Sequence, residues 1–331
     1  MDIHSTNNNN SENIEPSIKM LNNNNNTDSD VNIITDDNDN NANNNNNNKS
    51  LVVRVRQNFF DTHYLNEPDS YDSTDMDSLR EANDYIIRRF LAVNDSDTDR
   101  TVSHLAETYR WRKSFPVRRD FSQCGVEVFQ CGAMFIHGVD REGRPVLYAR
   151  VKTHVKIAEL ERLAQDIVVT TLEKLAQLGN DKGFTVVMDV SGAGLSNVDL
   201  KMVKFMVQAL HYYPEALQCI LVVNVPTLIK PFMPIVRLIL GSKYSHMLHI
   251  VNDRQLFDHI EPSQVPKYLG GDSNYDFTQP PTECTKTCEQ LSHLFDLDPK
   301  VVRKSIRKFE PHMRDARQLV LRTIDVNSIN K

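Results

Sequence analysis

An α/β fold, built as an open and mostly parallel sheet covered by helices, is what this sequence predicts. Three observations lead there. Helix-patterned and strand-patterned segments alternate through residues 126–277, the signature of a sheet crossed by helices. Two amphipathic segments stand ahead of that alternation. And the mostly apolar run from Ala216 to Leu240 carries charge only at Lys230 and Arg237, so it is either core or the wall of a site for a greasy ligand.

Taken in order, the chain begins with asparagine homopolymers at Asn7–Asn10, Asn22–Asn26 and Asn43–Asn48. Such a segment cannot bury enough apolar surface to offset its ordering entropy, so residues 1–50 are expected to be disordered and 51–78 a linker. "SLREANDYIIRRFLAV" places Leu79, Ala82, Ile86 and Phe90 at helical spacing, and "TDRTVSHLAETYRWRKSF" does the same through Val102, Leu105 and Tyr109. These antiparallel helices form a subdomain at 79–125. In "CGAMFIHGVDREGRPVLYARV" two apolar runs flank the polar turn Asp140–Gly143, a hairpin. The stripe Ile157, Leu160, Ala164, Ile167, Thr171, Leu175 and Leu178 predicts a helix. "GFTVVMDV" is a strand, followed by the loop "SGAGLS" and a helix over about 198–210. "CILVVNV" and "MLHIV" are further strands, and a short helix surrounds Leu256. Residues 278–331 read as a helical tail. Within it, "DPKVVRKSIRKF" has Asp298 as N-cap and Pro299 at the first helical position. Val302, Ile306 and Phe309 share a face ringed by Lys and Arg. That helix either lies on an acidic bilayer or packs on the fold, and Pro311 is expected to end or kink it near Glu310.

Several function classes drop out. Residues 1–80 carry 5 Lys and Arg against 14 Asp and Glu, leaving 33 against 30 in the rest. The folded part is only mildly basic, which suits transient contact with an anionic membrane surface but not nucleic acid. Pro226, Pro231 and Pro234 break the long apolar run, so it is no membrane span. The start shows no basic stretch followed by an apolar one, which leads us to expect a cytoplasmic protein with reversible membrane association. Cys284 and Cys288 have no second pair, and Cys124, Cys131 and Cys219 sit among apolar residues; no metal site is expected. Gly192 and Gly194 give only G-x-G before a helix, too little for a phosphate loop, and Asp189 serves better as a cap for the next turn. With no nucleophile and base arrangement legible, the chain is expected to be no enzyme and to need no cofactor.

The segments "RRFL", "YRWRKSF", "DREGRPV", "VVMDVSGAGLSN", "YYPEALQCILVVNVP" and "VPKYLGG" occur in the order and spacing of the CRAL-TRIO family of lipid-binding proteins, and the chain resembles that family over Leu79 to Phe277. The resemblance implies a small helical bundle packed on an α/β domain, 126–277, whose sheet floors an apolar lipid cavity closed by a gate helix. In that register the gate spans Pro226–Leu240, with Leu228, Ile229, Phe232, Ile235, Val236 and Ile239 able to face a lipid tail or a bilayer. Of the family's phosphatidylinositol headgroup set, Glu215 is kept. Ala92 stands at the Arg position and Met247 at the Lys position, with Lys243 one helical turn away as a substitute. The hydroxyl-bearing positions of a phosphatidylcholine site fall on Ile136, Leu147, Phe184 and Val186, and Met188 continues the same strand face. The expected ligand is therefore a bulky hydrophobic lipid with a small or loosely held polar end. A regulatory module that presents the same fold to a protein partner is the alternative.

Overall fold

The computed structural model describes residues 49–323 except 82–83, 116 and 118–119. The asparagine-rich head and Ala82 lie outside the described residues. Four helices come first: α1 (49–59), which runs into a π-turn at Phe60–Tyr64, α2 (Ser73–Glu81), α3 (Asp84–Val93) and α4 (Thr98–Ser114). The stretch 51–78, expected as a linker, thus holds most of α1 and part of α2. Val52, Val55 and Phe59, on one helical face, are buried against Met76, Leu79 and Leu105. The helix expected across 78–93 is helical in both of its described parts, to Glu81 in α2 and from Asp84 in α3. The α4 boundary follows its cap: Asp97 accepts a hydrogen bond from the Arg100 N–H at 3.0 Å.

After α5 (Val126–Gln130), the hairpin β1 (Met134–Val139) and β2 (Pro145–Arg150) turns at Asp140, whose Oδ1 accepts from the backbone N–H groups of Glu142 and Arg144. Then α6 (Glu161–Gly179), β3 (Phe184–Asp189), α7 (Leu200–His211), β4 (Leu217–Val223), α8 (Met233–Ser245), β5 (Leu248–Ile250) and α9 (Asp253–His259) alternate. The sheet order is β1-β2-β3-β4-β5, antiparallel at β1/β2 and parallel elsewhere. One sheet face, through Tyr148, Val187 and Leu221, packs on Leu256, Ile260 and Phe277. Asp189 caps the turn that follows it, accepting from Ser191 N–H at 3.0 Å.

The helical bundle is fastened to the α/β part by a buried polar knot. Arg112 of α4 bonds Asp75 of α2 at 2.8 Å and Glu173 of α6 at 2.7 Å, and the Tyr213 hydroxyl donates to Glu173 at 2.9 Å. Burial alone would raise the Glu173 carboxyl, but the Arg112 charge and hydrogen bonds hold it below its ordinary value. Trp111 stacks on Tyr212 with ring centroids 4.1 Å apart.

Residues 279–323 are part of this fold. They contain α10 (Pro299–Ile306), capped by Asp298, and α11 (Glu310–Thr323). The basic helix is interrupted near Glu310, as expected: α10 ends at Ile306, a 3-10 turn follows at Arg307–Phe309, and Pro311 stands in the first turn of α11, where its missing N–H has no partner to lose. Of the two readings of the basic helix, packing is the one observed. Val302 is buried beside Ile157, Leu160 and Cys288, and Arg303 pairs with Glu289. All five cysteines are buried thiols.

Candidate functional site

The second face of the sheet packs on its helices over only part of its area, with Phe184 and Leu217 buried against Leu172, Leu175 and Leu210. It floors a cavity of about 730 Å³. The strand register sets its pattern, because residues paired across neighbouring strands point to the same side. One transverse row runs Ile136, Leu147, Val186, Ile220, Leu248, and a second runs Met134, Ala149, Met188, Val222; every member lines the cavity. Val186, Met188 and Ile220 keep accessible surface although they lie in the interior of the sheet with helices on both sides. That surface belongs to the cavity.

Helices α6 and α7 supply walls through Leu163, Ile167, Met202 and Met206, and α8 with its leading turn supplies Ile229, Phe232, Met233, Val236 and Leu240. The α8 segment is apolar on its other side too: Leu228, Ile235 and Leu238 are exposed, Leu238 to 80%. Its far end is interrupted at Gly241, where φ is 65° and ψ −176°, a conformation a side chain would strain. Arg237 ties this break to the sheet, donating to the carbonyls of Ser245 at 2.8 Å and Leu248 at 2.9 Å.

Polar side chains in the wall gather where the strands end. His154 Nε2 lies 3.0 Å from Asp199 Oδ2, Asp199 Oδ1 caps α7 by accepting from Met202 N–H at 3.0 Å, and Asn197 donates to the carbonyls of Lys152 and His154. Burial raises the Asp199 carboxyl, but the bonds from His154 and Met202 outweigh it and hold the group below its usual range. Thr171, deeper in the wall, is already bonded to the Ile167 carbonyl at 2.8 Å. Among the described residues no group of three His, Cys, Asp or Glu could hold a metal, and no helix is long and apolar enough to cross a membrane.

The sequence-predicted positions divide cleanly. Ile136, Leu147, Phe184, Val186, Met188, Phe232 and Val236 are all in the cavity wall. Glu215 and Lys243 are not among its lining residues. Glu215 sits half-buried in the turn before β4 with φ 53°, its charge acting on Arg89 and Tyr244. Lys243 is exposed, its amine 5.3 Å above the Tyr244 ring centre. Ala92 is exposed and Met247 packs on the main core. Of the six gate positions, Ile229, Phe232 and Val236 face the cavity, while Leu228 and Ile235 are exposed and Ile239 is not among the lining residues. The α7 wall, the His154 and Asp199 pair, and Ile306, Phe309 and Met313 from the segment beyond residue 278 were missed. For α7 the signal was present in the i, i+4 spacing of Met202 and Met206.

A five-stranded α/β sheet over an apolar chamber, roofed by a helix that is apolar on both sides, suits a hydrophobic molecule. Residues 129–271 match the family model described as CRAL/TRIO domain. It is similar to the phosphatidylinositol/phosphatidylcholine transfer protein SFH13 of Arabidopsis thaliana, 29% identical over 56% of this chain and 34% of the relative. It also resembles the phosphatidylinositol transfer protein CSR1 of Eremothecium gossypii, 22% identical over 59% of this chain and 48% of the relative. The chain therefore spans between a third and a half of the length of these curated relatives. The crystal structure of Sfh5 shares the fold with a TM-score of 0.54 at 17% identity, covering 75% of this chain and 96% of that one.

Proposed function

We propose that the protein binds a hydrophobic lipid in this cavity and moves it between membranes without catalysis, on the cytosolic side and in reversible contact with a bilayer. The observation that carries the reading is the floor: two transverse rows of apolar side chains, with no charged or hydroxyl-bearing residue among them, inside a chamber of about 730 Å³. Such a surface favours hydrocarbon, since each methylene taken from water contributes about 0.8 kcal/mol. The similarity to transfer proteins for phosphatidylinositol and phosphatidylcholine supports a phospholipid or a molecule of like shape. The gate is α8 with its leading turn, hinged at Gly241. Closed, it turns Phe232, Met233 and Val236 to the ligand; open, it offers those side chains together with Leu228, Ile235 and Leu238 to a bilayer. Extraction of the purified protein with organic solvent, followed by mass spectrometry, tests this: one lipid class should be enriched in proportion to protein. Absence of enrichment, together with no lipid movement between vesicles, would overturn the proposal.

A further inference from the structure

One end of the cavity is closed by residues that lie outside the 129–271 match. Ile306, Phe309 and Met313 follow one another across the junction of α10 and α11 and line the cavity together, with Pro280 and Pro281 beside them. Ile306 and Phe309 pack with Leu160, Leu163 and Ile167 at the start of α6, so this wall is continuous with the apolar lining that α6 supplies.

This wall is fixed in place, unlike the hinged roof. The Val126 N–H donates to the Lys286 carbonyl at 2.9 Å and the Cys288 N–H to Glu127 Oε2 at 2.8 Å. Gly125 lets the backbones approach so closely that an added Cβ would sit 2.3 Å from the Cys288 sulfur. Further along, Asp315 receives Arg150 at 3.3 Å and Lys152 at 2.8 Å, and Arg317 reaches Asp276 at 2.6 Å. Two of these clamps start from the strand and loop that shape the cavity itself. Ala316 and Val320 complete the attachment beneath the sheet.

We infer that Ile306, Phe309 and Met313 form a stop that sets which hydrocarbon lengths the cavity accepts. The inference rests on the lipid reading proposed above. Every methylene that finds room adds about fourfold to binding. The gain ends where the chain meets an immovable side chain, because close-packed walls yield little. A stop produces a break in affinity at one chain length, whereas a yielding wall produces a gradual decline.

The test uses vesicles containing a graded series of saturated phosphatidylcholines, from short to long acyl chains, with uptake by the full chain read by mass spectrometry. The wild type should show uptake rising with length and then breaking. Phe309→Ala and Met313→Ala should each move the break to longer chains and raise uptake of the first excluded length by about tenfold or more, as two added methylenes would. Ile306→Phe should move it to shorter chains. Thermal unfolding of each variant separates this from simple damage: a purely structural role would lower uptake of all lengths alike, and an unchanged profile in folded variants would overturn the inference. A wild type that takes up no member of the series would refute the lipid reading and the stop with it, whereas a wild type that loads normally beside unaltered variants refutes the stop alone.

Discussion

Replacing Val186 with Asp puts a carboxyl at the centre of the cavity floor, with Leu147 and Ile220 as its neighbours across the sheet and no cation in either row. With the cavity open to water the new group stays hydrated and titrates near the ordinary Asp value of about 3.9. Loading hydrocarbon over it removes that water, and the group must take up a proton first. The cost is about 1.36 kcal/mol for each pH unit above 3.9, or roughly 4 kcal/mol at pH 7 and roughly 1.5 kcal/mol at pH 5. Lipid loading should thus fall about a thousandfold at pH 7 and only about tenfold at pH 5. Because lower pH supplies the proton, the defect shrinks with acidification. Loading of a fluorescent phospholipid across that pH range, with Val186→Asn as the variant that cannot titrate, measures the effect directly. Circular dichroism should report a folded protein, since Val186 faces the cavity and not the packed side occupied by Val187. Equal loading of Val186→Asp and wild type at pH 7, or a defect with no pH dependence, would refute the placement of this floor under the ligand.

Three further outcomes can be measured. Phosphatidylinositol transfer between vesicles should be slow in the wild type, because Glu215 and Lys243 lie outside the cavity wall; efficient wild-type transfer would contradict that account. Leu238→Glu should leave stability within about 0.5 kcal/mol, as an exposed change does, while slowing vesicle-to-vesicle transfer about tenfold through loss of an apolar side chain from the membrane-facing side of α8. Arg112→Met should lower the unfolding free energy in urea by about 3–5 kcal/mol, because it strands buried Glu173 without its cation. The wild-type contribution of Glu173 is present above the unfolded carboxyl value of about 4.3. It is lost as pH falls through the lower folded value, so the urea midpoint should drop in acid.

The sheet was legible because its strands obey local rules. The alternation of Phe184, Val186 and Met188 is a period-two pattern, and one strand face follows from it whatever the rest of the chain does. Assigning that face to a cavity took more than the pattern, since a core strand reads identically; the family resemblance supplied the register. The helix over 51–59 was hidden by its neighbours: Val52, Val55 and Phe59 carry the right spacing, but the Asn-rich head before them and the polar stretch to Ser73 gave the region the composition of a linker. The placement of Glu215 and Lys243 was beyond reach for a different reason. Their positions depend on two turns, one with positive φ at Glu215 and one at Gly241, and a turn redirects a side chain without changing the sequence spacing that aligns it. The wall at Ile306 and Phe309 packs with residues 155–167, more than a hundred positions earlier. No periodicity within a helix encodes such a distance.

The strand order has a consequence for how the chain acquires its shape. Strands that neighbour each other in the sheet also follow each other along the chain, so each parallel strand joins an edge that its immediate predecessor has just formed, after one helical crossover. Pairings of this kind need loops of modest length and keep the search entropy low. During synthesis the sheet can therefore widen in one direction as residues emerge, while its apolar face waits for α7 and α8 to cover it. The segment from Gln279 onward is made after every strand. A ribosome-bound intermediate ending near Ile250 would carry the whole sheet with one side of its chamber unwalled, and such exposed apolar surface is what general chaperones hold.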